Sequence, residues 1–263
     1  MRRSTRFFTT VRNNVVGLVV LAGIWFILAL FFPSYILPSP GAVLRAAPSF
    51  LNNALLQHLG ITLYRAAVGF CLAFGAGSAL GTLCVAFTLA EGHAEERRLT
   101  EHLNSFMAAL QVIPGPFLGV ILLLVPGIGS WVPIALVALL TLPTIAINTA
   151  NALKERSVAL EHYLLSAGAT RRHLIKHLYV PTLIPTFQSN LSLGFGLSLK
   201  VVILGEFIGA QEGIGYLLNV AAIHFDMKTV LFYLGVVLVL SALFEIAQSF
   251  GFAVFLTKYF YPE

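Results

Sequence analysis

The chain has 263 residues, of which 58% are hydrophobic and 10% charged, with a formal net charge of +5 at pH 7. A soluble domain carries about a quarter charged residues, so this chain has too few to coat a water-facing exterior, and lipid is the solvent its composition calls for. The positive balance does not point to nucleic acid, because Lys and Arg fall in short segments between apolar runs, not along one amphipathic stripe with stacking aromatics.

Val15 to Phe32 is an uninterrupted apolar run behind the basic stretch Met1 to Arg12. A secretory signal would have an apolar region of about 7–15 residues and a small-residue cleavage site. This run instead leads into Pro33-Ser34-Tyr35, so residues 15–32 are expected to be a first crossing, for which about 20 residues of helix suffice. Residues 62–90 make the second. Cys71 and Cys84 both lie in that run, which argues against a disulfide framework or a zinc site and for packing.

Between Leu103 and Leu153 there is no Asp, Glu, Lys or Arg. That length fits two crossings, 104–125 and 131–150, joined by the turn Pro126-Gly127-Ile128-Gly129-Ser130, with Pro114, Pro116, Pro133 and Pro143 expected to break or bend them. Residues 181–209 and 229–257, the latter holding only Glu245, complete an all-α, six-span domain over 15–258. Glycines at 69, 77, 81, 194 and 196 suit close helix approach, where packing drives association.

Six crossings put both ends on one side. Short cytoplasmic loops collect Lys and Arg. An inside N-terminus places Arg2, Arg3, Arg6, Arg12, Arg97, Arg98, Lys154, Arg156, Arg171, Arg172, Lys176 and Lys258 in the cytoplasm, leaving Arg45, Arg65, Lys200 and Lys228 outside or within the membrane. Residues 1–14 and 259–263 are then cytoplasmic.

Two connections have structure of their own. Residues 33–58 read as a Pro-rich stretch, Ile36-Leu37-Pro38-Ser39-Pro40, followed by a short interfacial helix. Residues 154–180 form the longest inward loop, with Ser157 as N-cap, Glu161 early in the helix and Gly168 at the C′ position. Leu160, Tyr163, Leu164 and Ala167 recur at i, i+3, i+4, i+7, giving one apolar face. Thr170 can cap a second short helix ending before Pro181. The pattern predicts a helix-turn-helix at the membrane surface, able to seat in a soluble partner or to rest on lipid.

That loop resembles the EAA loop of the permease subunits of ATP-binding-cassette importers. Gly168 is followed at the family's offsets by Leu178, Val180 and Pro181. The acidic position six before the glycine is His162 here, with Glu161 beside it, and the two alanines are Tyr163 and Leu164. Ile36 to Pro40, Thr62-Leu63-Tyr64-Arg65 with Gly69-Phe70, Gly127-Ile128-Gly129 with Pro143, and Glu206 with Gly213-Ile214-Gly215-Tyr216 are similar to the nitrate, sulfonate and taurine type. In that type Pro126 is often phenylalanine.

The resemblance implies a non-catalytic subunit of the bacterial inner membrane, acting as a homodimer with two ATPase subunits and an extracytoplasmic binding protein. Glu161, His162, Tyr163, Leu164, Ala167, Gly168, Ala169 and Pro181 would couple it to the ATPase. ATP and Mg would be held by the partner, since no G-x-x-x-x-G-K-[ST] sequence occurs in this chain. The residues alone leave a self-sufficient transporter or channel open, although no matching halves of the kind such proteins show are found. No catalytic cluster stands out, and the loop histidines, His93, His102, His162, His173 and His177, read as solvated side chains, not metal ligands.

Ionisable groups inside a membrane cost roughly 2.5–3.5 kcal/mol each on insertion scales. Lys200, Glu206 and Glu245 therefore need a partner or a purpose. Arg65, Lys200 and Glu206 are the candidates for a substrate passage, where Lys200 and Arg65 would give a positive field for an anion; the resemblance implies a small one such as a sulfonate, taurine or nitrate. The alternative is structural pairing, for instance of Arg65 with Glu206.

Overall fold

The computed structural model describes residues 2–88, 93–125 and 127–260. Pro126, the last three residues and the side chains of Glu245, Arg97, Lys258 and the N-terminal arginines lie outside what is described. The chain folds into α1 (Arg2–Phe31), α2 (Pro40–Phe50), α3 (Asn53–Thr88), α4 (His93–Val112), α5 (Gly115–Leu124), α6 (Trp131–Lys154), α7 (Val158–Ser166), α8 (Arg171–Leu174), a π turn (Ile175–Tyr179), α9 (Val180–Gly209), α10 (Ile214–Ile223) and α11 (Met227–Phe260). No strand occurs among the described residues. Helices satisfy their own backbone hydrogen bonds, which hydrocarbon cannot do for them.

Four described stretches are long and apolar enough to cross a membrane: Asn53–Val85, Trp131–Lys154, Arg171–Gly209 and Met227–Phe244. The pair Thr100–Val112 and Gly115–Leu124 would make a fifth, but it is bent by 79°. The apolar part of α1, Val19–Phe31, is shorter than these. Helix length and composition thus support four or five crossings where the sequence suggests six. The third expected crossing, 104–125, is not one straight helix. Pro114 sits at φ −62° and ψ 131°, an extended conformation that ends α4, and Pro116 lies in the first turn of α5. Proline lacks the N–H needed to continue the ladder, so the break falls there.

The second crossing belongs to a helix that begins at Asn53, well before residue 62, with the Asn52 side chain accepting the Leu55 N–H at 2.8 Å. The short helix after the Pro-rich stretch is α2, where Ser39 accepts from the Ala42 N–H at 3.3 Å and Pro40 opens the first turn. The helix α10, between the last two expected crossings, has no counterpart in the periodicity reading.

The packing centre is the α3, α6, α9 triangle, where Ala66, Leu136, Val137, Leu199 and Val202 are buried together. A Cβ on Gly77 would stand 2.9 Å from the Leu142 carbonyl and one on Gly81 2.6 Å from the Ala146 carbonyl. The two backbones therefore approach at distances only glycine permits. Gly194 likewise faces the Phe70 ring, but Gly196 has nothing within 4 Å and is not a packing glycine here. Cys71 is exposed and Cys84 partly so, neither in a disulfide, and Cys71 thus does not serve the packing role expected of it. A second cluster of Val43, Leu55, Ile214 and Phe232 ties α2, α3, α10 and α11 together.

Candidate functional site

The loop after α6 has the capping its sequence predicts. Ser157 accepts the Leu160 N–H at 3.3 Å and starts α7. At the other end Gly168 takes φ +82°, while the Ala169 N–H reaches the Leu164 carbonyl at 2.9 Å and the Gly168 N–H the Leu165 carbonyl at 3.0 Å. This is a Schellman ending, and its left-handed residue favours glycine. The turn is therefore fixed in direction by one residue.

The second helix differs from expectation. Thr170 stands at the N-cap of α8, but its hydroxyl meets His173 Nδ1 at 2.8 Å and caps no backbone N–H. Nor does the helix end before Pro181: α8, the π turn and α9 run on as one stretch from Arg171 to Gly209. A proline removes one N–H and crowds the carbonyl four residues back. The wider π turn just before it accommodates both, and the Thr182 hydroxyl donates to the Leu178 carbonyl at 2.8 Å. The second half of the loop, from Arg171, and α9 therefore form one rod, roughly 60 Å long at 1.5 Å per residue.

Glu161 turns inward. Its carboxylate accepts from Arg156 Nε at 2.9 Å and from the Tyr179 hydroxyl at 2.8 Å, while Arg156 also donates to the Leu153 carbonyl at 2.8 Å. The guanidinium lies 5.5 Å from the Tyr179 ring centre. Arg156 and Glu161 are buried. One carboxylate thus joins the end of α6, the helix α7 and the root of α9. His162, at the family's acidic position, is exposed, as are Ala167 and Pro181, with Leu164 and Ala169 half-buried. Leu160 is 42% and Tyr163 69% exposed, so the apolar side of α7 is left uncovered by its own chain. Behind α7 lies a cavity of about 450 Å³, lined among others by Val85, Leu165, Arg171, Ile175 and Tyr179.

Arg65 and Glu206 meet at the other end of α9. Arg65 Nη1 is 3.0 Å from Glu206 Oε1 and donates to the Glu212 carbonyl at 2.6 Å, while Nε and Nη2 reach the Ser130 hydroxyl at 3.1 and 2.9 Å. The Thr62 hydroxyl is 3.0 and 2.9 Å from the two Glu206 oxygens and accepts the Ile214 N–H at 2.8 Å. The Gly215 N–H donates to Glu206 Oε2 at 3.0 Å. Glu206 therefore occupies the N-terminus of α10, where free N–H groups and the helix dipole favour an anion. Glu206, Arg65 and Thr62 are all but inaccessible. This is the structural pairing that the sequence left as an alternative, and it removes Arg65 and Glu206 from any open surface of the chain.

Lys200 is not part of that cluster. It is exposed on α9, about 9 Å along the axis from Glu206. Between the two ends, Asn148 donates to Asn190 at 2.8 Å and Asn190 to Thr149 at 3.3 Å. A groove of about 400 Å³ beside them is lined by Asn148, Asn151, Glu155, Thr186 and Ser189. Sequence reading missed these amides, and it missed Arg156 and Tyr179 as partners of Glu161. The G-x-G at 213–215 next to a lone intramembrane carboxylate was the available sign of the α10 clamp.

The family model for the inner membrane component of binding-protein-dependent transport systems matches residues 83–250. The chain belongs to this family. Among curated proteins, this permease is 29% identical over 192 residues to the formylaminopyrimidine transport permease protein ThiX of Halalkalibacterium halodurans, covering 73% of each chain. It is 29% identical to the riboflavin transport system permease protein RibX of Chloroflexus aurantiacus, over 74% of this chain and 70% of that one. The putative aliphatic sulfonates transport permease protein SsuC of Escherichia coli is 31% identical, over 69% of this chain and 66% of that one. Its fold is similar to that of a chain in the inward-facing MetNI methionine ABC transporter, with a TM-score of 0.64, 20% identity and coverage of 74% and 93%. It is thus the non-catalytic membrane subunit of an ABC importer, with ATP hydrolysed by a separate ATPase.

Proposed function

We propose that the permease works as a homodimer, that its 154–180 loop docks on each of two ATPase subunits, and that an extracytoplasmic binding protein delivers the solute. ATP and Mg are then held by the ATPase, with none bound by this chain. The observation that carries this reading is the uncovered apolar side of α7 on a loop continuous with α9. A groove closing on α7 would tilt the root of that rod, and alternating access needs such a movement at the far end of a span. The orientation that puts Arg171, Arg172 and Lys176 inside also puts both termini inside, in six crossings, with α1 and the bent α4–α5 pair each counted as one.

The solute is proposed to be a small anion, such as a sulfonate, taurine or nitrate. Lys200 supports this as the cation left exposed on α9 once Arg65 is neutralised by Glu206. The likeness to a putative aliphatic sulfonates transport permease supports the same reading. Purifying the tagged permease from its native membrane tests the assembly. A nucleotide-hydrolysing subunit should accompany it in equal amounts. Solute uptake by the purified chain alone, in vesicles without nucleotide, would overturn the reading.

A further inference from the structure

The cavity of about 450 Å³ behind α7 is walled mainly by apolar side chains, among them Val85, Leu153, Leu165, Ile175, Val180 and Leu183. They come from α7 and from the ends of three membrane-crossing stretches, Asn53–Val85, Trp131–Lys154 and Arg171–Gly209. The cavity therefore lies where hydrocarbon gives way to headgroups. Leu165, Ile175 and Val180 are each about half exposed, so its lip is open and apolar. Glu161 and Leu165, four apart, turn one face of α7 to the cavity, away from the Leu160 and Tyr163 side. Among the described residues, little helix packing holds α7 in place.

The polar side chains of the wall differ in what they leave unmet. Glu161 is neutralised by Arg156 and accepts the Tyr179 hydroxyl, so neither it nor Tyr179 calls for a ligand. Thr82 is uncharged. Arg171 is exposed at the lip, and among the described residues it forms no ion pair. Water does not fill an apolar cavity. The volume falls within the range of about 300–1,000 Å³ in which small-ligand sites lie. The matching occupant is apolar in its body and anionic at its end. A basic pocket between spans at the inner face of a membrane suits an anionic lipid headgroup.

We infer that this cavity binds one anionic phospholipid, with an acyl chain along Val85, Leu165 and Leu183 and the headgroup on Arg171. Only the choice of the inner leaflet rests on the orientation proposed above. The chain fills the space between α7 and the ends of α3 and α9, and so supports a helix that the protein itself packs loosely. Arg172 does not line the cavity and takes no part.

The test uses the importer extracted in mild detergent from its own membrane. It is offered equal amounts of phosphatidylglycerol and phosphatidylcholine of one chain length, and bound lipid is counted by native mass spectrometry. The wild type should retain one phosphatidylglycerol per permease chain, in clear excess over phosphatidylcholine, whose own ammonium offsets its phosphate. R171Q should cut that preference roughly fivefold, and R172Q should leave it. L165W, which puts an indole into the cavity, should lose both lipids. Equal retention of the two lipids by the wild type, a measurement that needs no variant to fold, would overturn the inference. So would an unchanged preference in R171Q, or lipid held as before by L165W. An ATPase subunit missing from spectra that show the bound phosphatidylglycerol would sink the coupling role proposed for the loop and leave the lipid site standing.

Discussion

Arg65 and Glu206, 141 positions apart in sequence, form a buried ion pair that holds α3 to the end of α9 and to the start of α10. The same carboxylate accepts the Gly215 N–H and the Thr62 hydroxyl. Removing one member of such a pair leaves an uncompensated buried charge and costs about 3–5 kcal/mol. R65M should therefore lower the thermal midpoint of the detergent-solubilised permease far more than exposed R45M does. Equal midpoints for the two would mean that the pair contributes nothing.

Gly213 gives an independent reading of the same clamp. Its φ is +105°, which L side chains rarely adopt, and a Cβ there would collide with the Glu206 carboxylate. G213A should thus destabilise α10 about as much as loss of the ion pair, through strain and through displacement of the anion from the helix N-terminus. Protection of the 214–223 amides against hydrogen exchange measures this. Retained protection in G213A would show that the carboxylate can move aside at little cost.

The loop carries a second testable pair. Arg156 and Tyr179 both bind Glu161, so deleting either should loosen α7 from α9 and let ATP hydrolysis run without transport. For Y179F with R156K, a double-mutant cycle should show a coupling of about 0.5–3 kcal/mol, as expected for residues in one network. The ratio of nucleotide hydrolysed to solute taken up, in vesicles containing the assembled importer, should rise in each single variant. Additive effects with an unchanged ratio would make the contact incidental.

The sequence made some of this legible and hid the rest for identifiable reasons. Ser157 and Gly168 were readable because a cap and a left-handed turn are local, each set by one residue's own geometry. The side of α7 that faces its own chain was not readable, because periodicity finds an apolar stripe without saying whether the chain covers it. Here the stripe is exposed and the charged Glu161 is buried. A break or bend was anticipated at Pro114, whereas its 79° size depends on how α5 packs against α6 and α9. Arg65 and Glu206 were each visible as membrane charges, yet the choice between passage and clamp depended on α10, whose apolar composition carries no helical stripe. The continuation of α9 through Pro181 needed a π turn, which no local rule predicts.

At the start of α11, Asp226 accepts the Thr229 N–H at 3.2 Å and also the Thr229 hydroxyl. The Thr229 hydroxyl, more than the backbone N–H groups and Lys228, holds the Asp226 carboxyl below its ordinary range, against a smaller opposing effect of burial. A depressed native value means that the cap stabilises α11 fully above the unfolded carboxylate range, about 3.9, and is lost as pH falls through the lower native value. Protection of the Thr229 amide should hold from neutral pH down to about pH 5 and decline in more acid solution. D226N should remove that decline, and a wild-type profile flat into strong acid would exclude the cap.

The proposal of an anionic solute is tested at Lys200. It is exposed on a helix whose other faces are packed, and a bare ammonium at that depth costs roughly 2.5–3.5 kcal/mol unless it serves a ligand or a second copy of the chain. If it draws an anion into the passage, K200M should reduce uptake of a sulfonate about tenfold, while the ATPase stays bound and its basal hydrolysis is unchanged. K200R, which keeps the charge, should recover most of the loss. A neutral heterocycle of the kind named for two of the relatives should be indifferent to both changes. Uptake experiments with one solute of each kind therefore separate the readings. Unaltered sulfonate uptake in K200M, with assembly intact, would move Lys200 from the passage to the contact between permease copies.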